Sequence, residues 1–261
     1  MENKISIDDV RSFWQANPLC SSAIPYPLGT RGYFEYYDAL REANESINFS
    51  YYLHEYKKFA GKKVLDVGSG NGYVLSKYSQ EGAETWGVDI TPIGAYLYRR
   101  RFELWDLQGN VLIANAEELP FENEFFDCVC CMGVLHHTPS PEKAVEEIFR
   151  VLKPGGRLIV MVYHRNSALY KIRIKFTSII TGKSLRQLVN EVDGIGNPKG
   201  DVYSKIELRH LLSQFNNLEL FVGHLKGSHF LPKGDYFIPD GLLRIFEKRW
   251  GWLLYAKGIR R

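Results

Sequence analysis

Three glycines two residues apart, in the run Val64-Leu-Asp-Val-Gly68-Ser-Gly70-Asn-Gly72, stand where a short apolar segment gives way to one of helical length. Glycine at such a junction lets the chain turn sharply and lets a ligand lie against the main chain with no Cβ in the way. The next apolar run ends in Gly87-Val-Asp89. An acid in that place can accept hydrogen bonds from the two hydroxyls of a ribose, or cap the helix that starts near Pro92. Two later runs end in polar clusters, Gly133-Val-Leu-His136-His137 and Tyr163-His164-Arg165-Asn166. Histidine is largely neutral near neutral pH and suits a general base, so His136, His137 and His164 are candidates for removing a proton. Arg165 suits the anchoring of a carboxylate or phosphate. The same residues also read as loop caps and solvated loop starts.

The elements that must position these residues follow from periodicity. Val64–Val67, Ala83–Val88, Val111–Ala114, Phe125–Met132 and Arg157–Tyr163 are short, almost continuously apolar runs, separated by helix-length segments at 72–81, 92–107 and 141–152. Alternation of this kind predicts βαβ units and a parallel sheet with helices on both faces. Ligands of such sheets bind beyond the carboxyl ends of the strands, where the glycines, Asp89 and the histidines all fall. Ahead of this core, Ser6 and Asp9 predict the start of a helix over 6–16. An aromatic-rich stretch predicts helices at 33–44 and 48–60, with Tyr33 and Phe34 as candidates to touch a substrate from a lid, or simply to fill the core. After Tyr163 the pattern breaks into a basic, partly helical piece and a turn-rich one, Asp193 to Gly200, which read as an inserted lid or flank. Regularity returns with a helix at 205–214, a strand at 218–225, a helix near 240–249 and a strand at 251–257. The organisation expected is an N-terminal helical lid over 1–60, a ligand-binding core over 61–163, an insertion over 164–203 and the rest of the core sheet over 204–261.

With 33 basic and 30 acidic residues in 261, the net charge of +3 supplies no field that would by itself indicate nucleic acid, and a small-molecule partner is expected. No apolar run approaches the roughly 18 residues of a membrane span, and Met1 to Asp9 lack the basic and apolar regions of a secretory signal. Three of the four cysteines, Cys128, Cys130 and Cys131, fall in one apolar run and read as buried free thiols, not metal ligands. A cytoplasmic protein is expected on this basis. The basic C-terminal residues Lys248, Arg249, Lys257, Arg260 and Arg261 read as a solvated face.

Val64 to Val162, with the ordered set of glycine loop, Asp89, Asn115-Ala-Glu-Glu-Leu-Pro-Phe121 and Gly133 to His137, resembles the core of class I S-adenosylmethionine-dependent methyltransferases, in the ubiquinone/menaquinone-biosynthesis-like branch called type 11. The resemblance implies a doubly wound, Rossmann-like α/β fold with a seven-stranded, mostly parallel sheet. It implies S-adenosylmethionine as methyl donor, S-adenosylhomocysteine as product, and transfer to a small-molecule oxygen, nitrogen or carbon nucleophile of sugar-like, quinone-like or secondary-metabolite type.

Carried over residue by residue, Asp66, Gly68, Ser69, Gly70 and Gly72 would surround the methionine part of the cofactor. Asp89 would hold the ribose, with Ile90 beside the adenine. Asn115 stands where relatives commonly have Asp; its carbonyl can still accept from the adenine amino group. Ala116 and Glu117 would border the adenine, and Met132 and Gly133 the sulfonium end. Tyr163, Arg165, Asn166 and Tyr203, joined by Asn197, form a candidate substrate-facing set. The alternatives are an RNA methyltransferase, a nicotinamide-dependent dehydrogenase, which uses the same loop and acid, and a non-catalytic adenosyl-ligand-binding protein.

Overall fold

The computed structural model describes residues 5–261, so Met1 to Lys4, part of the stretch read for a leader, lie outside it. Seven strands form one sheet: β1 (Lys63–Val67), β2 (Glu84–Asp89), β3 (Asn110–Ile113), β4 (Phe126–Met132), β5 (Leu152–Tyr163), β6 (Phe215–Gly223) and β7 (Leu253–Arg260). Their order is β3-β2-β1-β4-β5-β7-β6. The first five run parallel, and β7 lies antiparallel between β5 and β6. The winding direction reverses between β1 and β4, so their carboxyl ends open a crevice.

The helices are α1 (Ile7–Ala16), α2 (Arg31–Asn44), α3 (Ile47–His54), α4 (Tyr73–Gln80), α5 (Pro92–Leu104), α6 (Pro141–Val151), α7 (Lys175–Thr181), α8 (Leu185–Asn190), α9 (Lys205–Leu211) and α10 (Asp240–Trp250). Local chemistry sets their ends. Ser6 and Asp9 form a reciprocal capping box at α1. Thr91 accepts from the Gly94 amide at 3.0 Å, with Pro92 in the first turn of α5. Ala144, Val145, Ile148 and Val151 repeat at helical spacing and bury one face of α6.

Each face of the sheet carries its own core. One packs α6 and α9 through Val145, Ile148, Leu208 and Leu212. The other packs α4 and α5 together with the N-terminal aromatics Tyr33, Phe34, Tyr37, Tyr56 and Phe59. Arg101, from α5, fastens that N-terminal layer. Its guanidinium bonds both carboxylate oxygens of Asp38 on α2, at 2.9 and 2.7 Å, and its Nε donates to the Asn71 carbonyl in the glycine loop at 2.8 Å. The Arg101 side chain is buried, so the forked pairing is what makes its charge tolerable there.

Several boundaries differ from the sequence expectation for identifiable reasons. α3 stops at His54 because Glu55 adopts a left-handed φ of 52°, and a 3-10 turn follows over Tyr56–Phe59. β5 begins at Leu152: Phe126 pairs with Leu152 and Cys128 with Arg157, so Lys153-Pro-Gly-Gly156 forms a bulged entry to the strand. β3 is an edge strand, and Leu112 and Ile113 are exposed instead of covered on both faces. The C-terminal basic residues are not all solvated: Lys257 is buried and donates to the Tyr52 carbonyl at 2.7 Å, and Arg260 pairs with Glu124 at 3.1 Å. Segment 164–203 leaves and returns at one point, where Tyr203 donates to the Tyr163 carbonyl at 2.8 Å and Arg165 to the Tyr203 carbonyl at 2.9 Å. Cys128, Cys130 and Cys131 are buried and unpaired.

Candidate active site

At the carboxyl ends of β1, β2 and β4 lies a cleft enclosing about 1360 Å³ of space, its open mouth included. Gly68, with φ of 72°, starts the loop over it. A Cβ there would come within 2.2 Å of Val134 Cγ2, so only glycine lets the loop after β1 close on the loop after β4. The amides of Gly68 and Ser69 donate to the Val88 carbonyl at 2.8 and 2.9 Å. Asp89 organises the rest: Oδ2 accepts from the Gly70 amide at 2.9 Å, and Oδ1 from the Thr91 amide and hydroxyl at 2.9 and 2.7 Å. Burial pushes its carboxyl up while these bonds oppose the shift. Three of its roughly four acceptor sites are used within the chain, which leaves Oδ2 one further donor to receive.

Of the residues expected around a cofactor, Asp66, Gly68, Ser69, Gly70, Asp89, Ile90, Asn115, Ala116, Met132 and Gly133 line the cleft. Gly72 lies behind it, where it begins α4 at φ 77°. Glu117 is directed away, its Oε1 accepting from the Ser140 amide at 2.8 Å. Asn115 lines the cleft, but its Oδ1 accepts from the Glu117 amide at 3.0 Å, so that oxygen already serves a turn.

Two buried polar atoms in the wall have no protein partner, Asp66 Oδ1 and Ser69 Oγ. Burial raises the Asp66 carboxyl to about 7, with Arg41 pulling it down and Asp89 pushing it further up. A buried polar atom without a partner costs free energy unless a ligand satisfies it. An ammonium group fits beside Asp66; Arg41, which also lines the cleft, is paired with Glu45 at 3.2 Å.

The three histidines part company. His137 lines the cleft; its Nδ1 meets the Lys199 carbonyl at 2.5 Å and its Nε2 lies 3.6 Å from Asp193 Oδ2. Trp14 stands edge-on to its ring at 4.9 Å. His136 is fully buried outside the cleft, between the rings of His137 and Tyr163, and neither of its nitrogens meets a protein partner. Burial holds it well below the ordinary histidine range. His164 is buried beside β7, its Nδ1 on the Gly251 carbonyl at 3.0 Å. Neither His136 nor His164 lines the cleft, because the turn after β4 and the start of the insertion direct them into packed interior.

Tyr33 and Tyr163 line the cleft; Phe34, Arg165, Asn166 and Tyr203 do not. Phe34, one residue round α2, faces Trp105 and Arg101 instead. Arg165 is half-exposed and engaged with Glu207 at 2.9 Å and with the Val202 carbonyl. Tyr203 borders a separate surface groove with Arg165 and Glu207. Asn197 is buried, with Nδ2 3.5 Å from Asp193 Oδ2.

Sequence reasoning missed Trp14, Tyr37, Arg41 and Asp193. Tyr33, Tyr37 and Arg41 recur every four residues on one face of α2, which was a usable signal. Asp193 is the partner of both Tyr163, whose hydroxyl donates to its Oδ1 at 2.5 Å, and His137. Burial pushes its carboxyl up, and the two partners oppose that shift.

Comparison with known proteins bears on the family and the fold. The family described as "Methyltransferase domain" matches residues 65–160. A ubiquinone/menaquinone biosynthesis C-methyltransferase of Vibrio cholerae is 35% identical over 140 residues, 51% of this chain and 54% of that protein. A ubiquinone biosynthesis O-methyltransferase of Pseudomonas fluorescens is 34% identical over 133 residues, 47% and 53% of the two chains. The chain thus spans about half the length of the curated relatives it matches. The YcgJ protein of Bacillus subtilis shares the fold, with a TM-score of 0.57 over 81% of this chain and 97% of its own at 18% identity. Residues 65–160 are a class I S-adenosylmethionine-dependent methyltransferase domain. The chain is similar to the ubiquinone/menaquinone-biosynthesis enzymes over about half their length, and the methyltransferase match favours S-adenosylmethionine of the two ligands that a glycine loop followed by an acid can serve.

Proposed function

We propose that the chain catalyses methyl transfer to a small, largely apolar acceptor bearing a hydroxyl, with Tyr163 and Asp193 removing its proton. The observation that carries this reading is one pairing at the cleft wall, between Tyr163, which lines the cleft, and Asp193 behind it. The only side-chain hydroxyl contributed by β5 to the cleft, on Tyr163, is bonded to a carboxylate whose side chain is 5% exposed. The surroundings are apolar: Val10, Trp14, Pro18, Leu19 and Met161 line the same cleft. A quinone-like acceptor suits such walls better than a sugar.

When bound, S-adenosylmethionine supplies an electrophilic methyl group on a sulfonium. The chain's own task is to hold the acceptor oxygen in line and to remove its proton. As Tyr163 Oη takes the acceptor's proton it passes its own to Asp193 Oδ1. Burial and Asp193 hold the Tyr163 hydroxyl well above its ordinary range, so it relays a proton without standing ionised. His137 is a positioning residue in this scheme: with Nδ1 on the Lys199 carbonyl and Nε2 facing Asp193, it clasps the insertion to the cleft. A cytoplasmic location is consistent with the three buried free thiols; among the described residues no helix is long and apolar enough to cross a membrane.

The test joins calorimetry of S-adenosylhomocysteine and NAD with an acceptor screen using labelled S-adenosylmethionine. Selective binding of the adenosyl ligand and transfer to phenolic or quinol acceptors are expected. Selective binding without transfer to any acceptor class would make the protein a non-catalytic binder.

A further inference from the structure

Outside the cleft, two segments combine large exposed apolar side chains with the chain's positive charge. In the insertion, Phe176, Ile179 and Ile180 of α7 are 62%, 81% and 67% exposed. Between β6 and β7, Tyr236, Phe237 and Ile245 are 84%, 73% and 72% exposed. The two segments abut: Arg173 Nη1 donates to the Ser228 carbonyl at 2.9 Å, and Ala168 packs with Leu225 and Leu243. None of the residues of α7 is buried. α7 continues the π-helical turn Leu169–Ile174, whose Leu169, Tyr170 and Ile174 are buried, so the helix is anchored at its start and carries Phe176, Ile179 and Ile180 out as an uncovered apolar face.

Charge identifies that partner. Residues 167–190 hold five basic and no acidic side chains, and residues 224–252 hold five basic and three acidic. Together they carry +7 where the whole chain carries +3, which leaves the remainder at −4. Lys171, Lys175, Lys233 and Arg244 form no ion pair among the described residues. A second copy of this face would set like charge against like. We propose instead that the surface seats the protein on an anionic lipid bilayer, with the apolar side chains entering the acyl boundary and the lysines and arginines meeting lipid phosphates. The face is coupled to the cleft. Trp252 Nε1 donates to the Tyr170 hydroxyl at 3.1 Å, and the Trp252 ring stacks on Tyr163 at 4.9 Å. Both segments lie outside the matched methyltransferase domain.

Co-sedimentation of the full chain with vesicles of phosphatidylcholine alone, or mixed with phosphatidylglycerol, tests this without cofactor or acceptor, so it stands apart from the methyl-transfer reading. Binding to the phosphatidylglycerol vesicles only, weakening with salt, is expected. Replacing Lys171 or Lys175 by Gln should weaken it about fivefold each, and Phe176→Ser with Ile180→Ser by roughly tenfold or more. Ile206→Ser, at an equally exposed position on α9, serves as the control and should leave it unchanged. All variants should keep the wild-type affinity for S-adenosylhomocysteine, which shows that they are folded. Absence of binding, equal binding to both vesicle types, or equal loss in Ile206→Ser would overturn the proposal. So would a dimer, with no vesicle binding, that the α7 substitutions dissociate.

Discussion

The Tyr163 hydroxyl and the Asp193 carboxylate, thirty residues apart in sequence, meet at 2.5 Å and join the end of β5 to the insertion that follows it. The bond ties the insertion to Tyr163, which lines the cleft, while Asp193 itself stands behind that wall. Removing the hydroxyl should therefore act on the chemical step. Tyr163→Phe and Asp193→Asn are each expected to lower kcat by roughly 10²-fold with KM little changed, and the double variant should be no worse than either single one. Wild-type kcat should rise with pH as Asp193 ionises, over a range above that of an ordinary carboxylate, and Asp193→Asn should lose that limb. Steady-state kinetics across pH decide it, and a Tyr163→Phe enzyme with wild-type kcat would remove the relay.

Asp89 holds the loop, and the proposed function gives it a ligand hydroxyl to hold as well. Asp89→Asn removes the charge that holds the Gly70 amide and the Thr91 amide and hydroxyl. One hydrogen bond to a charged group contributes about 1.5–3 kcal/mol, so weakening the single bond proposed between Asp89 and the ligand should lower S-adenosylhomocysteine affinity roughly tenfold to a hundredfold. Calorimetric titration of the variant would show otherwise if affinity is retained.

How much of this was readable beforehand depended on the range of the interactions involved. The βα alternation, the glycine loop and Asp89 were legible because each is encoded within a few residues, by apolar periodicity or by a turn that only glycine can make. The C-terminal antiparallel pairing of β7 was not, since nothing local distinguishes the two directions. Arg41 and Trp14 reach the cleft only because α1 and α2 lie across it, which the Arg101 and Asp38 pair helps to fix from 63 residues away. Of His136 and His137 the sequence favours His136 as the base, but it is His137 that lines the cleft. Their roles separate at a single helical turn, closed by the His137 amide on the Val134 carbonyl at 2.8 Å, that sends one ring to the cleft and the other to the core.

Asp66 couples ligand binding to protons. With its carboxyl raised to about 7, it is substantially protonated near neutral pH in the ligand-free protein, although it is ionised in the unfolded chain above about 4. The stability it contributes is therefore present below about 4 and lost as pH rises toward 7. An ammonium group placed beside it favours the carboxylate, so S-adenosylhomocysteine binding should release a proton below pH 7 and tighten between about pH 6 and 8. Asp66→Asn should bind more weakly and with no such dependence, as calorimetry in buffers of different ionisation enthalpy would reveal.

His136 offers the opposite experiment, a substitution expected to stabilise. Its ring is fully buried against His137 and Tyr163 with neither nitrogen bonded to the protein. Leaving such atoms unpaired costs on the order of 1 kcal/mol or more, whereas a phenyl ring of similar shape leaves nothing to satisfy. His136→Phe should raise the unfolding free energy by about 1 kcal/mol at pH 7.5, measured by urea denaturation. The pH dependence should change as well. Burial depresses the His136 pKa, so its share of stability is present above the unfolded value of about 6.5 and is lost as pH falls below it, where the unfolded chain takes up a proton that the native state refuses. The variant has no such proton to take up, and its stability should fall less steeply from pH 6.5 to 5.5, by at most about 1.4 kcal/mol per pH unit. A variant less stable than wild type at both pH values would mean that this imidazole is satisfied in solution, and that the pocket it fills is polar.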